Sequence, residues 1–244
     1  MWIFLLLLLA SVSSVVAQTS NELYQKSIEF GNVYRSAYTE YQLAKNQHQQ
    51  YNTGATRLTA ISKTNVVLSA RNNWQIQYLK QLRTALAEVT NIANYGQTVV
   101  YLDLETEISS LESGSGSLSS GSTFETINQN SESWEDRLEK TTRLVESARL
   151  QVASAKLEAL QKKTESQLAS FLSTTGTPSS QLQLSIDQID QKINLANTER
   201  TTADTLFANY KTRTVSKQTA TNHLNTAKNA LLDASKLLLE ISQK

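Results

Sequence analysis

Cysteine is absent from this chain, and proline occurs once, at Pro178, in 244 residues. Without cysteine there can be no disulfide, thiolate metal site, thiol nucleophile or lipid-modified cysteine. One proline and seven glycines are too few for a turn-dense β fold, and they favour long helices. Charge of either sign is also scarce in the balance. Twenty-three basic residues against 22 acidic leave a net +1, so no global field draws the chain to nucleic acid or to an anionic membrane. Catalytic and nucleotide-binding signatures are missing too: there is no HExxH, P-loop, GxGxxG or GxSxG. No Asn-x-Ser/Thr sequon occurs. Hydrophobic residues are 39% and charged ones 18%; Ser, Thr, Gln and Asn make up much of the rest.

The one long apolar run lies at the start, MWIFLLLLLASVSSVVAQTS. Val15 and Ala17 fit the small-residue rule of signal peptidase, which places cleavage after Ala17 and makes residues 1–17 a signal peptide. No Lys or Arg precedes the run. The other reading is an uncleaved anchor, but the stretch from Trp2 to Ala17 is short of the roughly 20 residues that span a bilayer core. Both readings export the remainder, so the expected location is extracellular, periplasmic or at the cell surface.

From Leu23 onward the pattern is helical. Positions 23, 27, 30, 34, 37, 41, 44, 48 and 51 step by four and three, a coiled-coil seam holding Leu23, Ser27, Phe30, Tyr34, Ala37, Tyr41, Ala44, His48 and Tyr51. Tyr38 flanks it. Asn52-Thr53-Gly54 predicts a helix end with Gly54 as the terminating glycine. A second helix follows over 55–93, with the seam Leu58, Ile61, Asn65, Leu68, Asn72, Gln75, Leu79, Leu82, Leu86 and Val89. The short link makes the two antiparallel. A short acidic helix over 98–112 has Tyr101, Leu104, Ile108 and Leu111 on one face. SGSGSLSSGST then reads as a flexible linker. The organisation expected is residues 18–112 as a hairpin plus short helix, 113–130 as a Gly/Ser-rich linker, and 131–244 as a second hairpin bundle. In that second part a long helix runs from 131 or 133 to 172, and Pro178 suits the first position of the next. Its seam is Leu182, Ile186, Ile189, Ile193, Ala196, Arg200, Ala203, Phe207 and Tyr210. The last seam is Ala220, Leu224, Ala227, Leu231, Ala234, Leu238 and Ile241. A slip in phase and a cluster of Thr place a turn at 211–215. The fold class expected is all-α: an elongated antiparallel bundle of coiled-coil hairpins with five to six helices.

Candidate chemistry is thin. His48 lies on a seam and reads as a packed histidine. His223 lies beside a seam leucine with no acid nearby in sequence, and the pair is a poor basis for a metal site. Asp187 and Asp190 share a helix face next to Ile186 and Ile189, and read as solvated charge rather than as an acid–base pair. No catalytic, cofactor or metal residue is assigned, and no enzyme activity is expected. Tyr38, Trp74 and Trp134 are the candidate surface-contact residues, aromatics being apt for interfaces. Arg57, Lys63, Arg71, Lys80 and Arg83 crowd the second helix, while residues 103–136 hold eight acids and no base. The simplest reading is that these segments lie together and compensate.

The stretches YTEYQLAKNQHQQYNT, RLTAISKTNVVLSAR and YLKQLRTAL resemble uncharacterised exported helical proteins of candidate-phyla bacteria, over about residues 24–90. The resemblance implies a helical hairpin and a bacterial envelope setting, and no activity. The function expected is a structural or adhesive protein of the cell envelope. It would work through helix–helix contacts with a protein partner or with itself, without nucleic acid, and would touch a membrane only through an uncleaved N-terminal segment. The alternative is a membrane-active, pore-forming-like or solute-binding bundle.

Overall fold

The computed structural model describes residues 18–89, 95–118, 123–175, 177–208 and 217–243. The expected signal at 1–17 and the expected turn at 211–215 lie outside them. The described residues form six helices and no strand: α1 (Ser20–Tyr51), α2 (Gly54–Glu88), α3 (Tyr95–Leu118), α4 (Phe124–Thr175), α5 (Ser180–Phe207) and α6 (Lys217–Ser242). The all-α class therefore stands among the described residues.

Local chemistry sets the ends. Thr19 caps α1 through a reciprocal pair with Glu22, and Thr53 caps α2 in the same way with Thr56. The residue that turns the chain between them is Asn52, at φ 47° and ψ 39°. Asn tolerates this left-handed conformation, so the sequence reading of Gly54 as terminator is corrected: Gly54 is the first residue of α2. Ser179 caps α5 by accepting from the Leu182 amide at 3.3 Å. Pro178 accordingly sits before the cap rather than at the first helical position.

The boundaries around the expected linker also move. α3 continues through Ser113 and Ser115, whose hydroxyls donate to the carbonyls of Ser110 and Glu112 at 3.1 and 2.7 Å. It ends at Leu118, and α4 opens at Phe124 rather than at 131 or 133. Phe124 and Ile127 are held there by apolar contact with Ile61 and Leu68 of α2.

Cross-helix pairs fix the directions. Ser20 meets Glu88, Glu40 meets Lys63 and His48 meets Thr56, so α1 and α2 run antiparallel over their whole length. Small residues let them approach: Ala37 lies against Val67 and Ala70, and Gly31 against Trp74. α2 then presents a second buried stripe to α3 and α4. Ile76, Leu79, Leu82 and Leu86 close on Val100, Leu104, Ile108 and Leu111 of α3 and on Leu144 and Ala148 of α4. Farther along, α4 meets α5 and α6. Leu168 joins Ile186, Ile189 and Ile193 with Ala234, Leu238 and Ile241, and Leu150 joins Ala203, Phe207, Ala220 and Leu224. All seven expected seam residues of α6 are buried. On α2 the expected seam is only half the story: Leu58 is 68% exposed, while Ala60, Val67, Ala70, Ile76 and Ala85 are buried. A helix flanked on two sides buries two stripes, and one heptad row cannot describe it.

Among the described residues α1 packs against α2 and no other helix along its length; only its last turn reaches α4, where the rings of His48 and Phe124 lie 5.4 Å apart.

Leu104 is fully buried and Leu102, two residues away, is 58% exposed. Leu104→Ala is expected to lower the unfolding free energy by about 2–5 kcal/mol, and Leu102→Ala by less than about 0.5 kcal/mol. Urea denaturation followed by circular dichroism measures both; equal losses would contradict the assigned face of α3.

Candidate functional site

The aromatic residues of α1 and α2 come together. Trp74, half-buried on α2, stacks on Tyr34 of α1 with ring centroids 5.6 Å apart and planes 8° from parallel. Tyr34 touches Tyr38 at 6.2 Å, and Tyr38 touches Tyr41 at 6.0 Å. The i, i+4 and i, i+3 spacing of 34, 38 and 41 puts these rings side by side on one flank of the helix. Gly31 makes room for the indole: a Cβ there would lie 3.2 Å from Trp74 Nε1. Tyr34 and Tyr41 pack on the Ala37–Val67–Ala70 contact, while Tyr38 stays 46% exposed.

Beyond Trp74 the surface dips into an open cleft of about 240 Å³ between α2 and α4. Trp74, Gln75, Tyr78 and Leu79 form one side and Leu138, Thr141, Thr142 and Val145 the other. Gln75 Oε1 is buried and has no hydrogen-bond partner among the described residues. The structure thus brings Tyr38 and Trp74, two of the three residues singled out from sequence, onto one continuous aromatic surface. Trp134 belongs to α4, and its side chain lies outside the described residues.

The charged residues are spent on joining helices. Lys80 pairs with Glu112 at 2.6 Å, and Arg83 pairs with Glu105. The basic second helix and the acidic third therefore do compensate each other. Glu107, almost wholly buried, accepts from Arg137 Nη2 at 3.0 Å and from Thr141 Oγ1 at 2.9 Å, tying α3 to α4. Arg200, a seam position in sequence, is mostly covered, its side chain 13% exposed, between Glu158 of α4 at 3.4 Å and Asp204 at 2.9 Å. Asp204 also accepts from Ser154 Oγ at 2.6 Å. Burial pushes the Asp204 carboxyl above its ordinary range, against the lowering pull of Ser154 and Arg200. At the far end of α2, Glu88 accepts from the Ser20 hydroxyl and from the Ser20 amide at 2.6 Å. These bonds hold its carboxyl below the usual range.

His223 finds an acid that sequence proximity could not show: Nδ1 lies 2.6 Å from Glu199 Oε2 on α5. His48 stands 3.2 Å from the Thr56 hydroxyl and 5.4 Å from the Phe124 ring. Asp187 and Asp190 are exposed on α5, and Asp187 accepts from Gln183 at 2.8 Å. Among the described residues no three or more His, Asp or Glu side chains gather as they would around a metal ion. No protein-family model matches the chain, and no curated protein or solved structure is significantly similar to it.

Two outcomes test this geometry. Gly31→Val and Trp74→Ala are expected to couple by at least about 0.5 kcal/mol in a double-mutant cycle of unfolding free energies, because the valine clashes only while the indole is present; strict additivity would contradict the contact. By carboxyl NMR titration, Asp204 is expected above the ordinary aspartate range and higher still in Ser154→Ala, which removes a lowering hydrogen bond. The linked stabilities have opposite signs. The share from Asp204, whose folded value is raised, is present at low pH and is lost as pH rises through that value. The share from Glu88, whose folded value is lowered, is present above its unfolded value and is lost as pH falls through the folded one.

Proposed function

We propose that the chain is an exported interaction protein of the cell envelope, an elongated bundle of antiparallel hairpins that binds through exposed helix faces. One observation carries this reading. Among the described residues α1 is covered by α2 on one side only, leaving Tyr24, Ile28 and Tyr38 in solvent, and Tyr38 adjoins the Trp74 cleft through Tyr34. Tyrosine and tryptophan supply large contact area at small entropic cost, and so suit a surface that meets another protein. The polar clusters support the same reading. Arg200, Glu107 and Lys80 each join two helices, a structural use of charge, and the cleft at Trp74 is lined mainly by carbon.

The membrane-active alternative draws less support. The segment that a pore-former would hold in reserve is α3. Its Leu104, Ile108 and Leu111 are in the core, and its Glu105 and Glu112 are paired to α2. No described helix is long and apolar enough to cross a membrane.

Crosslinking on intact producing cells tests the proposal. The chain is expected in the exported fraction, in covalent complexes that disappear when Tyr38 and Trp74 are both replaced by alanine. Recovery inside the cell, or complexes unchanged by the double replacement, would count against it.

A further inference from the structure

The row one position along from the buried seam of α1 is itself a heptad row: Tyr24, Ile28, Gly31, Arg35, Tyr38, Gln42 and Lys45, stepping four and three. Its long side chains are exposed or half-buried, and it carries two bases and no acid. α4 bears the opposite pattern. Glu125, Glu132, Glu139 and Glu146 recur every seven residues along it, a straight row about 31 Å long at 1.5 Å per residue. The last two follow immediately after Leu138 and Val145, which line the Trp74 cleft. α1 and α4 both flank α2; Tyr38 reaches the Trp74 groove through Tyr34, and Glu139 and Glu146 adjoin two residues that line it.

A surface that holds both halves of a complementary pair suits a two-fold contact, in which each copy offers the same patch to the other. We propose that this groove is where two copies of the chain meet, α1 of each laid along α4 of the other. Tyr24, Ile28 and Tyr38 then cover Leu138 and the cleft, and Arg35 and Lys45 face the glutamate row. Glu139 and Glu146 already touch Arg143 and Lys217, so the ion pairs steer and register the contact, and the aromatic burial supplies most of its strength. This inference rests on the interaction reading above and names its partner.

The absence of cysteine allows a direct test on the full chain. Two single-cysteine forms, Arg35→Cys and Glu139→Cys, are mixed under mild oxidation. A disulfide joining the two forms is expected, and none when Val33→Cys, on the opposite side of α1, replaces Arg35→Cys. By light scattering the mass should reach twice 27.1 kDa. Tyr38→Ala should weaken the dimer by about tenfold or more, and Tyr38→Phe by less, since it loses only the hydroxyl. A single-chain mass at every concentration, or a dimer whose Val33→Cys mixture crosslinks as well as the Arg35→Cys mixture, would overturn the proposal. The cell-crosslinking result is independent of this outcome. Complexes there with a monomeric purified chain would keep the interaction reading and remove self-association, whereas a dimer with no exported complexes would do the reverse.

Discussion

Apolar burial along the 52 residues of α4 decides where the other helices can go. At 1.5 Å per residue this helix is about 78 Å long, more than any one neighbour can cover. Its first half gives Ile127, Leu144 and Ala148 to α2 and α3. Its second half gives Leu150 and Leu168 to α5 and α6. Two three-helix clusters are thereby strung on one rod. The two sets overlap where Leu150 packs toward α5 and α6 while Val152 still packs on the α2–α3 cluster, with no break in the helix. Polar pairs mark the register on both sides: Glu107 with Arg137 and Thr141 before it, Ser154 with Asp204 and Glu158 with Arg200 after it. Removing one partner of such a covered pair costs more than the pair contributes, because the other is left buried and unmatched.

α1 is the member that this arrangement does not use fully. α2 is enclosed by α1, α3 and α4, but among the described residues α1 has α2 alone along its length. Its cap depends on that neighbour as well, since Glu88 at the end of α2 binds the Ser20 amide. A long helix held along one side keeps its other faces for something else, and the sequence fills one of them with tyrosines and bases rather than with the Gln and Asn found elsewhere on the surface. The contrast with α6 is instructive. Its apolar row is met by α4 and α5, and its opposite face keeps only isolated leucines such as Leu232 and Leu239, which need no explanation singly.

Much of this could be read before any coordinates. Steps of four and three located the buried faces of α1, α5 and α6 because each of these helices meets its neighbours along one face, and one face gives one heptad row. The same rule misread α2, where Leu58 is exposed and Ala60 and Val67 are buried, because two neighbours require two rows. Gly/Ser composition suggested a linker from residue 113, but serine hydroxyls bonded to carbonyls three residues back carry α3 on to Leu118. Asn52 took the left-handed turn assigned to Gly54, a choice both residues permit. The pairs His223–Glu199 and Ser154–Asp204 join residues 24 and 50 positions apart, and no local pattern announces them. At the candidate site, the exposure of Tyr38 beside a packed Tyr34 followed from its offset by one from the seam. The stacking of Trp74 on Tyr34 did not, since it needed the register of the α1–α2 hairpin.

The account stands or falls on α4 being one unbroken helix that carries both clusters. A cysteine-free chain can be spin-labelled at two introduced sites, Gln129→Cys and Ser173→Cys, both exposed on α4, and their separation measured by pulsed electron resonance. An unbroken helix predicts a single narrow distance of roughly 66 Å. A broad distribution, or a distance much shorter than this, would mean that α4 bends or breaks between the two clusters and would contradict the account.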